Sequence, residues 1–137
     1  MKPTYKIELE RDGERIEVEL RLTVGGQLAL KKKYNENAMS TILEASDDIE
    51  KCVSVFNEAL KFKDNHNQIQ SGEELYDLLV DNGYKDYNDF SDLLLSIGVE
   101  SGLITQDKKD KLFNTVLGNY DKAFDEIFEV SDEEKNV

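Results

Sequence analysis

Apolar side chains recur at every second position through Tyr5, Ile7 and Leu9, and again through Ile16, Val18, Leu20 and Leu22. Charged residues such as Lys6, Glu8, Glu17 and Glu19 fill the places between. A period of two puts one kind of side chain on each face of a strand, so both stretches read as half-buried strands. Asp12-Gly13 between them is the short signal for a type I′ hairpin turn. That turn fixes the register: Leu9 opposite Ile16, Ile7 opposite Val18 and Tyr5 opposite Leu20 on the apolar face. The other face gains Glu10 with Arg15 and Lys6 with Glu19, and sets Glu8 against Glu17. The like-charged pair costs a few tenths of a kcal/mol, less than three apolar pairs contribute. A hairpin of this size is marginal alone, so its apolar face must be covered by the helices that follow.

Between Leu20 and Tyr34 the period lengthens to three or four. Thr23 sits at the change as an N-cap, its hydroxyl accepting from an orphaned backbone N–H. Val24, Leu28 and the Tyr34 region form one face of the helix it opens. Gly25 and Gly26 each weaken that helix by up to about 1 kcal/mol relative to alanine, which close packing against the strands would explain. The helix ends near Tyr34-Asn35, after Lys31, Lys32 and Lys33, which suit its negative C-terminal dipole.

A short helix with Met39, Ile42 and Leu43 follows. Ser46 is the expected cap of a third helix carrying Ile49, Cys52, Val53, Phe56, Ala59 and Leu60, with Phe62 near its end. The polar stretch DNHNQIQ, from Asp64 to Gln70, reads as a loop. Ser71 with Glu74 forms a capping box for the helix of Leu75, Leu78 and Leu79, and Gly83 is its stop. Tyr84, Tyr87 and Phe90 lead into the helix of Leu93, Leu94 and Ile97, which stops between Gly98 and Gly102. Thr105 caps a last, longest helix with a stripe from Leu112 to Phe128. The expected fold is mostly α with an N-terminal β-hairpin (α+β), about five helices packed on a two-stranded antiparallel hairpin. Residues 1–130 would form a single helical domain with the hairpin at 4–22, and the acidic end SDEEKNV, residues 131–137, a disordered tail.

Charge changes the picture in one respect. The chain has 30 acidic and 17 basic side chains, a net −13 over 137 residues. Residues 64–137 contribute 18 of the acids and 6 of the bases, so they hold −12 of the total. This argues against a nucleic-acid surface, which needs a basic footprint, and favours a basic partner. Cys52 is the only cysteine, which excludes an internal disulfide and fits a reducing compartment. No signal peptide opens the chain and no apolar run approaches a membrane span, so a cytoplasmic location is expected.

No catalytic constellation is present in the pattern. The sole histidine, His66, lies in a polar loop without Cys or His companions, so neither a metal site nor a triad is supported. The Asp64 loop and the acidic start of the fifth helix both fail the calcium-loop spacing. Gly25-Gly26 lacks the lysine and spacing of a phosphate-binding loop. The expected protein is not an enzyme and carries no cofactor or metal.

Three stretches carry a resemblance: RLTVGGQLALKKKY, TILEASDDIEKCVSVFNEALKF and DFSDLLLSIGVESGLI. Together with the short hairpin and the acidic helical remainder, they resemble the tail assembly chaperones of long-tailed phages and prophages, over residues 15 to 117. The resemblance implies a non-enzymatic protein that binds the hydrophobic, helical tape measure protein during tail assembly. It also implies a longer frameshifted form whose added segment recruits the tail tube protein. Phe113, Val116, Tyr120, Phe124, Ile127 and Phe128 are the candidate partner-binding residues, because an aromatic helix end with little chain left to cover it suits an amphipathic client. A rival expectation is an acidic nucleic-acid mimic that inhibits a host DNA-binding protein. Monomer and homo-oligomer remain equally compatible with the sequence.

Overall fold

The hairpin adopts the register that the alternation dictates. In the computed structural model, which describes residues 3–62 and 69–112, β1 (Tyr5–Arg11) pairs antiparallel with β2 (Glu14–Leu20). Leu9 stands opposite Ile16, Ile7 opposite Val18 and Tyr5 opposite Leu20. Asp12 and Gly13 take φ of 55° and 82°, the positive values that a type I′ turn requires at both central positions. Ile7, Leu9, Ile16, Val18 and Leu20 are buried, as expected of the covered face. On the open face Glu8 opposes Glu17, and Arg15 reaches Glu8 at 3.3 Å. Both of these partners are exposed, so the pair adds little. The Asn82 amide accepts from Glu10 N at 2.8 Å and donates to Glu10 O at 3.0 Å. It thereby satisfies one position on the outer edge of β1, where a third strand would otherwise pair.

The residues after β2 tie the hairpin to the helices. Arg21 N donates to the Ala59 carbonyl at 3.1 Å, and Leu22 N donates to Ser101 Oγ at 2.8 Å. The Arg21 guanidinium donates to the carbonyls of Pro3 and Glu100. Thr23 then caps α1 (Val24–Tyr34), accepting from Gly26 N at 3.1 Å. Asn35 closes α1 in the left-handed conformation, with φ 56°, a position that Asn tolerates better than most residues.

Two expectations for α1 need correction. Val24 and Leu28 face solvent, 70% and 60% exposed, and the buried residues of α1 are Gly26 and Leu30. The close neighbour of Gly26 is helical: an added Cβ would lie 3.3 Å from Glu58 Cβ. Gly26 therefore lets α1 approach the third helix, not the strands.

Asn37 caps α2 (Ala38–Ala45), accepting from Ser40 N at 2.8 Å. Ser46 terminates α2, and Asp48 is the N-cap of α3 (Ile49–Leu60), accepting from Lys51 N at 3.2 Å. The expected cap was thus two residues early: Ser46 keeps right-handed helical dihedrals, φ −63° and ψ −29°, whereas Asp48 has the extended backbone, φ −137° and ψ 101°, that an N-cap adopts. The buried face also differs from the expected one: Ile49 is 62% exposed, Val53 is half-buried, and Val55 joins Cys52, Phe56, Ala59 and Leu60 in the core.

α3 is the central helix, packing against α1, α2, β2 and α4 (Gly72–Asp81). Ser71 caps α4, accepting from Glu74 N at 3.1 Å. Glu74 reaches back to Gln70 N at 2.9 Å, one residue before the usual partner of a capping box. Gly83, with φ 99°, stops α4 as expected. Asp86 caps α5 (Tyr87–Glu100), accepting from Asp89 N at 2.9 Å. α5 packs against α2 and β1. Phe56, Tyr76, Phe90 and Tyr84 run in a chain between these elements, with successive ring centroids 6.5, 4.8 and 5.8 Å apart.

These elements form one compact unit, Met1–Thr105, and Gln106–Val137 forms a second. In the second, residues 106–112 are helical, starting directly after Thr105. Gln106 donates to Asp110 at 3.0 Å and Lys111 lies 3.4 Å from Asp107, both one turn apart. The fold is therefore α+β, a two-stranded hairpin followed by helices. The stretches 113–130 and 131–137, like most of the Asp64–Gln70 loop, lie outside the described residues.

Candidate partner-binding surfaces

The titratable groups with shifted affinities serve the fold. Cys52 is 1% exposed on α3, and desolvation pushes its thiol from 9.0 up to about 12. Only the thiolate reacts with alkylating reagents. At pH 8 that difference leaves roughly a thousandfold less thiolate than in the unfolded chain. Iodoacetamide labelling of Cys52 is accordingly expected to be at least a hundredfold slower in the native protein than in urea, read by mass spectrometry. Comparable rates in the two states would contradict its burial.

Lys51 bridges the connector before α2 to α2 itself, 3.2 Å from Glu36 and in contact with Glu44. The hydrogen bond to Glu44 is the chief cause that raises the lysine, with a further hydrogen bond and charge attraction from Glu36. Glu36 also accepts from the hydroxyl of buried Thr41 at 2.9 Å. That bond, then Lys51, holds the Glu36 carboxyl below its usual 4.5. The folded state therefore binds this proton more weakly than the unfolded state. The resulting stability is complete above about 4.5 and is lost as pH falls through the lowered value. Glu36→Gln should flatten the acid limb of a melting-temperature profile as pH falls below about 4.5. An acid limb as steep as in the unaltered protein would assign the acid sensitivity elsewhere.

Among the described residues no group of three or more His, Cys, Asp or Glu side chains can hold a metal ion. No described helix is long and apolar enough to cross a membrane. His66 lies outside the described residues, as do all six candidate partner-binding residues, Phe113, Val116, Tyr120, Phe124, Ile127 and Phe128.

Two helical faces of the first unit are open and chemically distinct. On α4, Glu73, Asp77, Val80 and Asp81 share an exposed face, spaced by one and two turns. Among the described residues none of these three carboxylates has a hydrogen-bond or ion-pair partner. On α1, the exposed face carries Val24, Leu28, Lys31 and Lys32 at the same spacing. Among the described residues neither Lys31 nor Lys32 has a partner. Lys33 differs, donating to Ser54 Oγ at 2.9 Å. The α1 face was missed because its apolar residues fit a core pattern equally well. The lysines that continue the same side of the helix were the available signal.

Compared with protein-family models, curated proteins and solved structures, the chain finds no match.

Proposed function

We propose that this protein is a tail assembly chaperone of a long-tailed phage or prophage, which binds the tape measure protein and keeps it soluble in the host cytoplasm. The observation that carries the reading is where the three resembling stretches fall. Residues 21–34 supply the junction and α1, 41–62 supply most of α2 and all of α3, and 89–104 supply most of α5. These helices pack on one another, α1 and α2 on α3, and α2 on α5. The likeness thus covers one contiguous body, not scattered pieces. Its −13 charge keeps a complex with a hydrophobic client dispersed. No reaction is required of it, so the reading is non-enzymatic and free of cofactors. A longer form that recruits the tail tube protein belongs to the same proposal.

Co-expression with the tape measure protein encoded nearby tests it. The client is expected to move from the insoluble to the soluble fraction and to co-purify with this chain. Phe124→Asp with Phe128→Asp should leave melting unchanged and reduce the recovered client several-fold. A client that stays insoluble beside abundant folded partner would overturn the reading.

The carboxylates Glu73, Asp77 and Asp81, which have no partner among the described residues, favour one rival, a nucleic-acid mimic acting on a host DNA-binding protein. Binding by such a mimic would collapse between low and moderate salt. Client binding through apolar contacts would persist.

A further inference from the structure

The solvent-facing side of α1 combines two features that a merely solvated helix does not need. Val24 and Leu28 stand one turn apart at 70% and 60% exposure. The other large exposed apolar residues of the described part, Leu43, Ile49, Val80 and Tyr87, occur singly on four different helices, as ordinary surface residues do. Lys31 and Lys32 continue the same face about one turn further on, within roughly 11–12 Å of Val24 along the axis. The dipole at the end of α1 accounts for lysines there, but not for two bare aliphatic side chains preceding them. Nor does packing: the core contacts of α1 come from Gly26 and Leu30 on its other side.

We propose that this face of α1 docks an amphipathic helix with acidic flanks. The aliphatic side of the docked helix lies on Val24 and Leu28, and its carboxylates reach Lys31 and Lys32. Charge selects this occupant. Residues 64–137 hold −12 of the net −13, so an acidic helix is repelled there and is favoured at Lys31 and Lys32, which have no partner among the described residues. A basic helix would meet the lysines of this face and would find better sites on the carboxylates of α4. The chemistry of the docked helix follows from α1 alone. That it belongs to the client rests on the chaperone reading above.

The test uses the full chain and two synthetic helical peptides with the same leucine face, one flanked by glutamates and one by lysines. Fluorescence anisotropy gives the affinities, and chemical-shift changes locate the site. At the α1 face, read from titration of the amide shifts of residues 24–32, the glutamate peptide is expected to bind about tenfold more tightly than the lysine peptide at low salt. Lys31→Gln with Lys32→Gln should remove that preference, and Val24→Ser with Leu28→Ser should weaken binding of the glutamate peptide about tenfold. All four positions are exposed, and unchanged melting confirms that the variants fold. Equal affinity of the two peptides for this face, its preference for the lysine peptide, or glutamate-peptide shifts confined to other elements would overturn the proposal. A chain that passes this test and still leaves the tape measure protein insoluble would keep the docking face and lose the chaperone reading. A chain that solubilises the client but shows no peptide preference would do the reverse.

Discussion

Gly72→Ala is expected to destabilise the first unit by about 3 kcal/mol, at the upper end of what overpacking costs. A Cβ at this position would stand 2.2 Å from the Val53 carbonyl oxygen and 2.9 Å from the Asn57 backbone nitrogen. Neither is the far end of a flexible side chain, so relief requires α4 to move away from α3. Such a movement would also stretch the bond from Gly72 N to Asn57 Oδ1. Gly25→Ala is the matching control. Its nearest neighbour is Thr23 Oγ1, 3.7 Å away, so alanine there should be neutral or stabilise by up to about 1 kcal/mol. Urea unfolding followed by circular dichroism distinguishes the two. An unchanged midpoint for Gly72→Ala would show that the α3–α4 approach is looser than the geometry requires.

Phe56→Ala should cost about 3–5 kcal/mol, the usual range for emptying a large aromatic site. Phe56 is fully buried on α3, the helix against which α1, α2, α4 and β2 all pack. Its ring also begins the aromatic chain through Tyr76 to Phe90. Phe56→Leu, which keeps more of the volume, should cost clearly less. Equal losses for the two variants, measured by denaturant unfolding with unchanged slopes, would mean that the cavity relaxes and that Phe56 is not the centre of the packing.

The hairpin was legible in the sequence because everything that fixes it is local. A period of two, a two-residue turn and complementary neighbours lie within Tyr5–Leu20, and no distant residue is needed to choose among registers. The caps at Thr23 and Ser71 and the stop at Gly83 were legible for the same reason. Ser46 misled because it and Asp48 are both good caps, and only the path of the chain between α2 and α3 decides between them. Val24, Leu28 and Ile49 misled more instructively. Apolar spacing shows which residues share a helix face, but whether that face meets a neighbour depends on elements far along the chain. Gly72 carried no signal at all, since its need for a missing side chain arises from backbone atoms of Val53 and Asn57 on α3. Of the candidate surfaces, the aromatic stripe from Phe113 to Phe128 was visible only as a pattern. The α1 face became visible once its apolar residues proved uncovered.

The bonds from Arg21 and Leu22 to Glu100 and Ser101 span 79 residues of chain. During synthesis at about 5–20 residues per second, the ribosome delivers the hairpin many seconds before the helix end that secures it. Throughout that interval the underside of the ribbon, Ile7, Leu9, Ile16 and Val18, has no complete cover. The nascent chain is therefore most exposed to proteolysis and mispairing before residue 101 leaves the exit tunnel.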